Sequence, residues 1–153
     1  MPKRNRAGDV TGDRARRPVP GMLLHIDGSR YQWFGDERWY ELIVLLDDAT
    51  SEIYYAQPVE AESTRTVMAG IRVVIETNGI FCALYSDRAS HFFLTPKAGE
   101  AVDKQSLTQV GRALRDLGIQ LIPAYAPQLL RQKRTLVRDM ARQTAAGVAN
   151  SRY

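Results

Sequence analysis

Asp27 closes the apolar run Met22–Ile26, and Asp87 follows Phe81–Tyr85 by one serine; turn-forming residues surround both. Ligands of open α/β sheets gather outside the carboxyl ends of strands, near the point where strand order reverses. If the chain's topology sets the strand before Asp87 beside the strand before Asp27, the two carboxylates become neighbours and repel. A hard divalent cation with oxygen ligands relieves that repulsion. A metal site of this kind activates a water or 3′-hydroxyl and stabilises the leaving oxygen of a phosphodiester. The same residues also have a plain structural use, because Asp-Gly and Ser-Asp are ordinary strand-exit turns. Arg88 is the only base next to either acid in sequence.

Other chemistries have fewer parts. Cys82 is the single cysteine and His25 and His91 the only histidines, which argues against a disulfide framework, a cysteine-rich zinc site or a histidine metal cluster. Ser29 and Ser86 have no histidine at a spacing that suggests a nucleophilic triad. His25 alternates onto the face of Asp27, where it could edge the site, and reads first as a strand residue with a solvated tip. Cys82 reads as strand core. Asp47 and Asp48 read as a turn between strands, and Trp33, Trp39, Tyr54 and Tyr55 as packing residues rather than a base-stacking platform.

The elements that would hold the two aspartates follow from hydrophobic period. Strands are expected over Met22–Ile26, with extended chain at residues 31–34, then over Trp39–Leu46 and Ile53–Val59. Leu42–Leu46 reads as buried on both faces. Val67, Met68, Ile71, Val74 and Ile75 mark a helix from Ser63 or Thr64 to Asn78, stopped by Gly79. A strand at Phe81–Tyr85, a polar loop over about 88–103, a helix through Leu107, Val110, Leu114 and Leu117, and a strand at Ile119–Ala124 complete the pattern. Residues from about Leu129 to Ala146 read as a third helix. The order β-β-β-α-β-α-β-α predicts an α/β fold with a mixed five-stranded sheet and flanking helices.

The 153 residues suit one domain, and 44% hydrophobic with 25% charged is ordinary globular composition. No apolar run approaches the roughly 20 residues of a membrane span, and the N-terminus lacks a signal-peptide core, so a cytoplasmic protein without a membrane partner is expected. Charge is unevenly spread. Residues 1–18 carry six bases and two acids, 127–153 six bases and Asp139 alone, and the middle nine bases and fourteen acids. Basic ends on an acidic body can track a phosphate backbone, or can be solvated tails. Residues 1–20 read as a basic flexible arm or linker remnant, 21–128 as the folded core and 129–153 as a basic tail.

His-Ile-Asp27-Gly-Ser, Leu-Leu-Asp-Asp-Ala-Thr-Ser51, Leu-Tyr-Ser-Asp87-Arg and Leu107-Thr-Gln-Val-Gly-Arg-Ala-Leu-Arg-Asp-Leu-Gly-Ile-Gln-Leu-Ile-Pro-Ala-Tyr-Ala-Pro-Gln128 occur in that order. Together they resemble the integrase-type catalytic core of bacterial insertion-sequence DDE transposases, over about residues 19–128. The resemblance implies an RNase H-like fold, Mg²⁺ or Mn²⁺, and DNA cleavage and strand transfer without a covalent enzyme intermediate. It matches Asp27 and Asp87 to the first and second metal-binding acids. It implies DNA as partner, with Arg88, Arg131, Lys133 and Arg134 as backbone contacts, and a second copy or a full-length transposase as a protein partner.

The chain departs from the family after Pro127-Gln128. There the family has a short basic, glycine-containing stretch and then Glu-Arg on its last helix, the Glu being the third acid. Counted without gaps, that position holds about Arg134, and no glutamate follows Glu100. Asp139 lies five residues further on, a rotation of about 140° on a helix, so it is a weak substitute. The expectation is a catalytically defective copy, disrupted by a frameshift or deletion; the alternative is a non-catalytic DNA-binding or transposase-interacting remnant.

Overall fold

A computed structural model of the chain describes residues 19–95, 101–124 and Asp139. The expected basic arm and almost all of the tail, with Arg131, Lys133 and Arg134, fall outside these residues.

Strands β1 (Leu24–Tyr31), β2 (Tyr40–Asp47) and β3 (Ile53–Val59) form an antiparallel meander, as short turns between apolar runs dictate. The chain then crosses through helix α1 (Thr64–Asn78) into β4 (Ala83–Ser86), which lies parallel to β1. A two-stranded ribbon, β5 (Phe93–Leu94) with β6 (Asp103–Leu107), leads to helix α2 (Gln109–Asp116) and β7 (Gln120–Pro123), parallel to β4. The main sheet therefore runs β3-β2-β1-β4-β7, with strand direction changing between β2 and β4 around β1. Ile43, Val44, Leu45 and Leu46 of β2 are at most 1% exposed, which fits a strand covered on both faces.

Alternation divides the sheet's side chains. Leu24, Ile26, Ile43, Leu45 and Leu84 pack with Val67, Ile71 and Val74 of α1 and with Val110 and Leu114 of α2. Leu23, Ala83 and Tyr85 form a smaller cluster with Ala124, and Val44 with Leu46 another. Helix α1 sits close to the sheet because position 70 is glycine: a Cβ there would lie 2.8 Å from Tyr55 Cε1 and 3.2 Å from Leu45 Cδ1. Gly70→Val should therefore overpack this contact and cost about 1–3 kcal/mol, read as a lowered urea midpoint.

Local signals set the helix ends. Ser63 caps α1 by accepting from the Thr66 N–H, and the Thr66 hydroxyl accepts from the Ser63 N–H. Thr108 caps α2 by accepting from the Gly111 N–H, while its hydroxyl donates to the Phe92 carbonyl.

Four expectations need correction. The first strand does not end at Asp27: hydrogen bonding to β2 carries it on to Tyr31, overriding the Asp-Gly turn signal. The loop at 88–103 contains the start of the β5–β6 ribbon, too short to show as a period in sequence. Leu107 belongs to β6, so α2 begins at Gln109. Cys82 precedes β4 and is exposed, not core.

Candidate active site

β1 and β4 are paired with Leu24 opposite Leu84 and His25 opposite Tyr85. Two residues further along that register, Asp27 comes level with Asp87, although sixty residues separate them in sequence. Asp27 is in mid-strand, opposite Val44 of β2, and only 6% exposed. Asp87 follows the last residue of β4, half-buried, with Oδ1 accepting from the Ala89 N–H at 3.1 Å. The turn role and the site role thus coexist in one residue: the Asx-type turn fixes the carboxylate at the strand's carboxyl end. Arg88 follows it, exposed to solvent. Asp139 is helical and exposed. Among the described residues, no group of three His, Cys, Asp or Glu side chains is arranged to hold a metal ion.

Beside Asp27 on the same face lies a pair that the sequence does not reveal. His25 Nε2 is 2.7 Å from Asp48 Oδ1, the two side chains 5% and 4% exposed, and the His25 ring tilts against Tyr85 at 5.0 Å. The expectation of a solvated His25 tip is therefore overturned. Burial of the strand on this face forces the imidazole to find a polar partner, and Asp48 supplies it from the β2–β3 turn. Asp47 performs the turn function, accepting from the Gly21 N–H and from the Thr50 N–H and hydroxyl. His25→Ala would strip a buried carboxylate of this partner and should cost roughly 3 kcal/mol in urea unfolding.

The opposite face carries a second unforeseen pair. Glu62, just before the α1 cap, lies over Gly28: a Cβ at position 28 would fall 2.0 Å from Glu62 Oε2. Glu62 Oε1 is 2.6 Å from His91 Nε2, and the Glu62 N–H donates to the Glu41 carboxylate. His91 belongs to the segment that begins with Asp87, so the pair ties the chain after β4 to the start of α1. Burial pushes the Glu62 carboxyl above its ordinary range; His91 pulls it down, while the charges of Asp87 and Glu41 push it up.

A raised folded-state pKa contributes stability that is complete below the unfolded value of 4.5 and is lost as pH rises through the folded value. Glu62→Gln, which keeps an acceptor for His91, should therefore gain stability relative to wild type between about pH 4 and neutral. Paired urea melts would read this, and an unchanged difference would contradict it.

Sequence comparison adds the lineage. The chain is 36% identical over 116 residues to the y4bF transposase of Sinorhizobium fredii, covering 75% of this chain and 25% of that protein. It is 28% identical over 119 residues to the transposase for insertion sequence IS1202 of Streptococcus pneumoniae, covering 78% and 25%. Over about three quarters of its length the chain is similar to these two transposases. It spans about a quarter of the length of these two relatives. No family model matches the sequence.

Solved structures give the fold of this segment. The HTLV-2 integrase catalytic core domain, determined with magnesium in a dimeric form, superposes with a TM-score of 0.62 at 13% identity, covering 86% of this chain and 77% of that one. The trimeric form gives 0.63, again at 13% identity, with 86% and 76% covered. A chain of the simian T-cell lymphotropic virus intasome in complex with PP2A regulatory subunit B56 gamma gives 0.51 at 17% identity, with 71% and 36% covered. The fold is RNase H-like, as the strand order and the resemblance implied. None of the described helices is long and apolar enough to cross a membrane.

Proposed function

We propose that residues 21–128 are the catalytic core of a DNA transposase, with Asp27 and Asp87 as the carboxylates that hold Mg²⁺ or Mn²⁺. The observation that supports this reading is the parallel pairing of β1 with β4 at Leu24–Leu84 and His25–Tyr85, a register that, extended by two residues, sets Asp27 opposite Asp87 just past the carboxyl end of β4. An all-oxygen donor pair suits a hard cation that keeps several of its waters. A divalent cation held there supplies a lowered pKa at the attacking water or 3′-hydroxyl and a counter-charge for the leaving oxygen.

The protein's own groups do the rest. Asp27, buried in a strand paired on both sides, fixes one carboxylate rigidly. The Ala89 N–H orients the other. Arg88, Arg131, Lys133 and Arg134 bind the DNA backbone, and a second copy or a full-length transposase is the protein partner. The setting is cytoplasmic.

The copy is catalytically defective. This finer reading rests on Arg134, a cation counted at the position of the family's third acid, and on the lack of any glutamate after Glu100. The same observation favours a second reading, a remnant that still binds DNA without cutting it.

Both readings require phosphate contact. Titrating labelled duplex DNA at a series of salt concentrations should give a log–log slope of about −3.6 if all four basic side chains meet phosphates. Binding that ignores salt would remove DNA as the partner.

A further inference from the structure

The connection between β1 and β2 is rich in exposed aromatic side chains. Tyr31, Phe34 and Trp39 are 44%, 62% and 53% exposed, which corrects the expectation that Trp39 packs in the interior. Tyr31 meets Trp33 edge-on with ring centroids 5.0 Å apart, Phe34 meets Tyr40 in the same way at 5.0 Å, and the Arg30 guanidinium lies 5.5 Å from the centre of the Trp39 ring. By contrast, Tyr54 and Tyr55 pack against the core, as expected.

Self-packing does not account for this group. Three of its rings remain open to solvent, and the Trp33 indole N–H is enclosed without an acceptor, an arrangement that costs stability. Its position relative to the acids is specific. Side chains alternate along a strand, so Asp27, Ser29 and Tyr31 share one face of β1, and Tyr40 is the cross-strand partner of Tyr31. Four residue steps of strand carry Asp27 to Tyr31, a reach of about 13 Å. That is roughly four base steps of a stacked strand at 3.4 Å each.

We propose that this tip is a base-stacking platform for unpaired DNA bases flanking a phosphodiester seated at Asp27 and Asp87. The inference rests on the proposed DNA-acting role of those acids and adds the element that takes the bases. Aromatic faces accept any base, and an arginine stacked on a ring adds cation–π attraction, so the platform selects unpaired strand rather than sequence.

The chain's two tryptophans, Trp33 and Trp39, are both in this tip, so intrinsic tryptophan fluorescence reports on it alone. Titrating the full chain with a dT₂₀ oligonucleotide should quench that fluorescence, and a forked duplex should quench more than a blunt one. Tyr31→Ala and Phe34→Ala remove exposed rings while leaving both reporters, and each should weaken dT₂₀ binding about tenfold. Oligonucleotide that binds by anisotropy without quenching, or with equal affinity for both variants, overturns the platform while leaving the DNA reading intact. Absence of any binding overturns both. Fluorescence that follows protein concentration rather than oligonucleotide would show a contact between copies, and would also overturn the platform.

Discussion

Replacing Asp27 and Asp87 together by asparagine should abolish the calorimetric heat of Mn²⁺ or Mg²⁺ binding while leaving the fold intact. Asparagine keeps the size and an acceptor oxygen of aspartate but loses the charge that a hard cation needs. The intact chain, with two carboxylates at the site, should bind weakly and release heat. Each single variant should retain a fraction of the affinity, and the double variant none. The same pair of measurements can be made by melting: saturating metal at a hundredfold excess over Kd should stabilise the wild type by about 2.7 kcal/mol and the double variant not at all. Heat that persists in the double variant would move the metal elsewhere. A wild type that binds neither metal would end the metal-enzyme reading.

On the proposed reading of a missing third acid, restoring a glutamate at the Arg134 position should give metal-dependent nicking of supercoiled plasmid in Mn²⁺ that the unaltered chain does not show. The genetic code supplies a test of the proposed frameshift. If each codon from Arg131 onward is read starting at its second base, CGG-CAA-AAG-CGA-ACG followed by any leucine codon encodes Gly-Lys-Ser-Glu-Arg. Its glutamate falls in register with Arg134. That is a basic, glycine-containing stretch followed by Glu-Arg, the pattern the family carries after Pro-Gln. In the same frame the codons of Met140 and Ala141 force a tryptophan.

We therefore expect the gene to use those codons, and the chain translated in the shifted frame from that point to acquire metal-dependent nicking that requires Asp27 and Asp87. A gene sequence with other codons at Arg134 or Thr135, unable to give Glu-Arg, would refute the frameshift. A restored chain that binds metal but still fails to nick would refute the missing acid as the cause of the defect.

Much of the frame was legible because it depends on local pattern. The continuous apolar run Leu42–Leu46 reads as a strand covered on two faces, and Ile43–Leu46 are buried, with Leu42 partly so at its start. The spacing of Val67, Ile71 and Val74, with Ser63 before and Gly79 after, gave α1 to within a residue. Asp47 was legible as a turn residue because its bonds to Thr50 are local. The polar segment before β6 and the exposure of Cys82 were not, because two-residue strands and strand boundaries depend on pairing rather than on period.

The site divides along the same line. Sequence alone determined that two aspartates follow apolar runs, that they head an α/β pattern, and that no glutamate follows Glu100. Tertiary structure decided that β4 pairs with β1 through Leu24–Leu84 and His25–Tyr85, two residues short of the two aspartates, and that β1 continues past Asp27 toward an aromatic tip. It also decided that His25 reaches Asp48 and His91 reaches Glu62. The physical reason is range. Hydrophobic period and turn chemistry act over a few residues and are written in the chain. Charge, burial and ring contact act through space, and His25 and Asp48, or Glu62 and His91, become neighbours only when the sheet and its crossovers have formed.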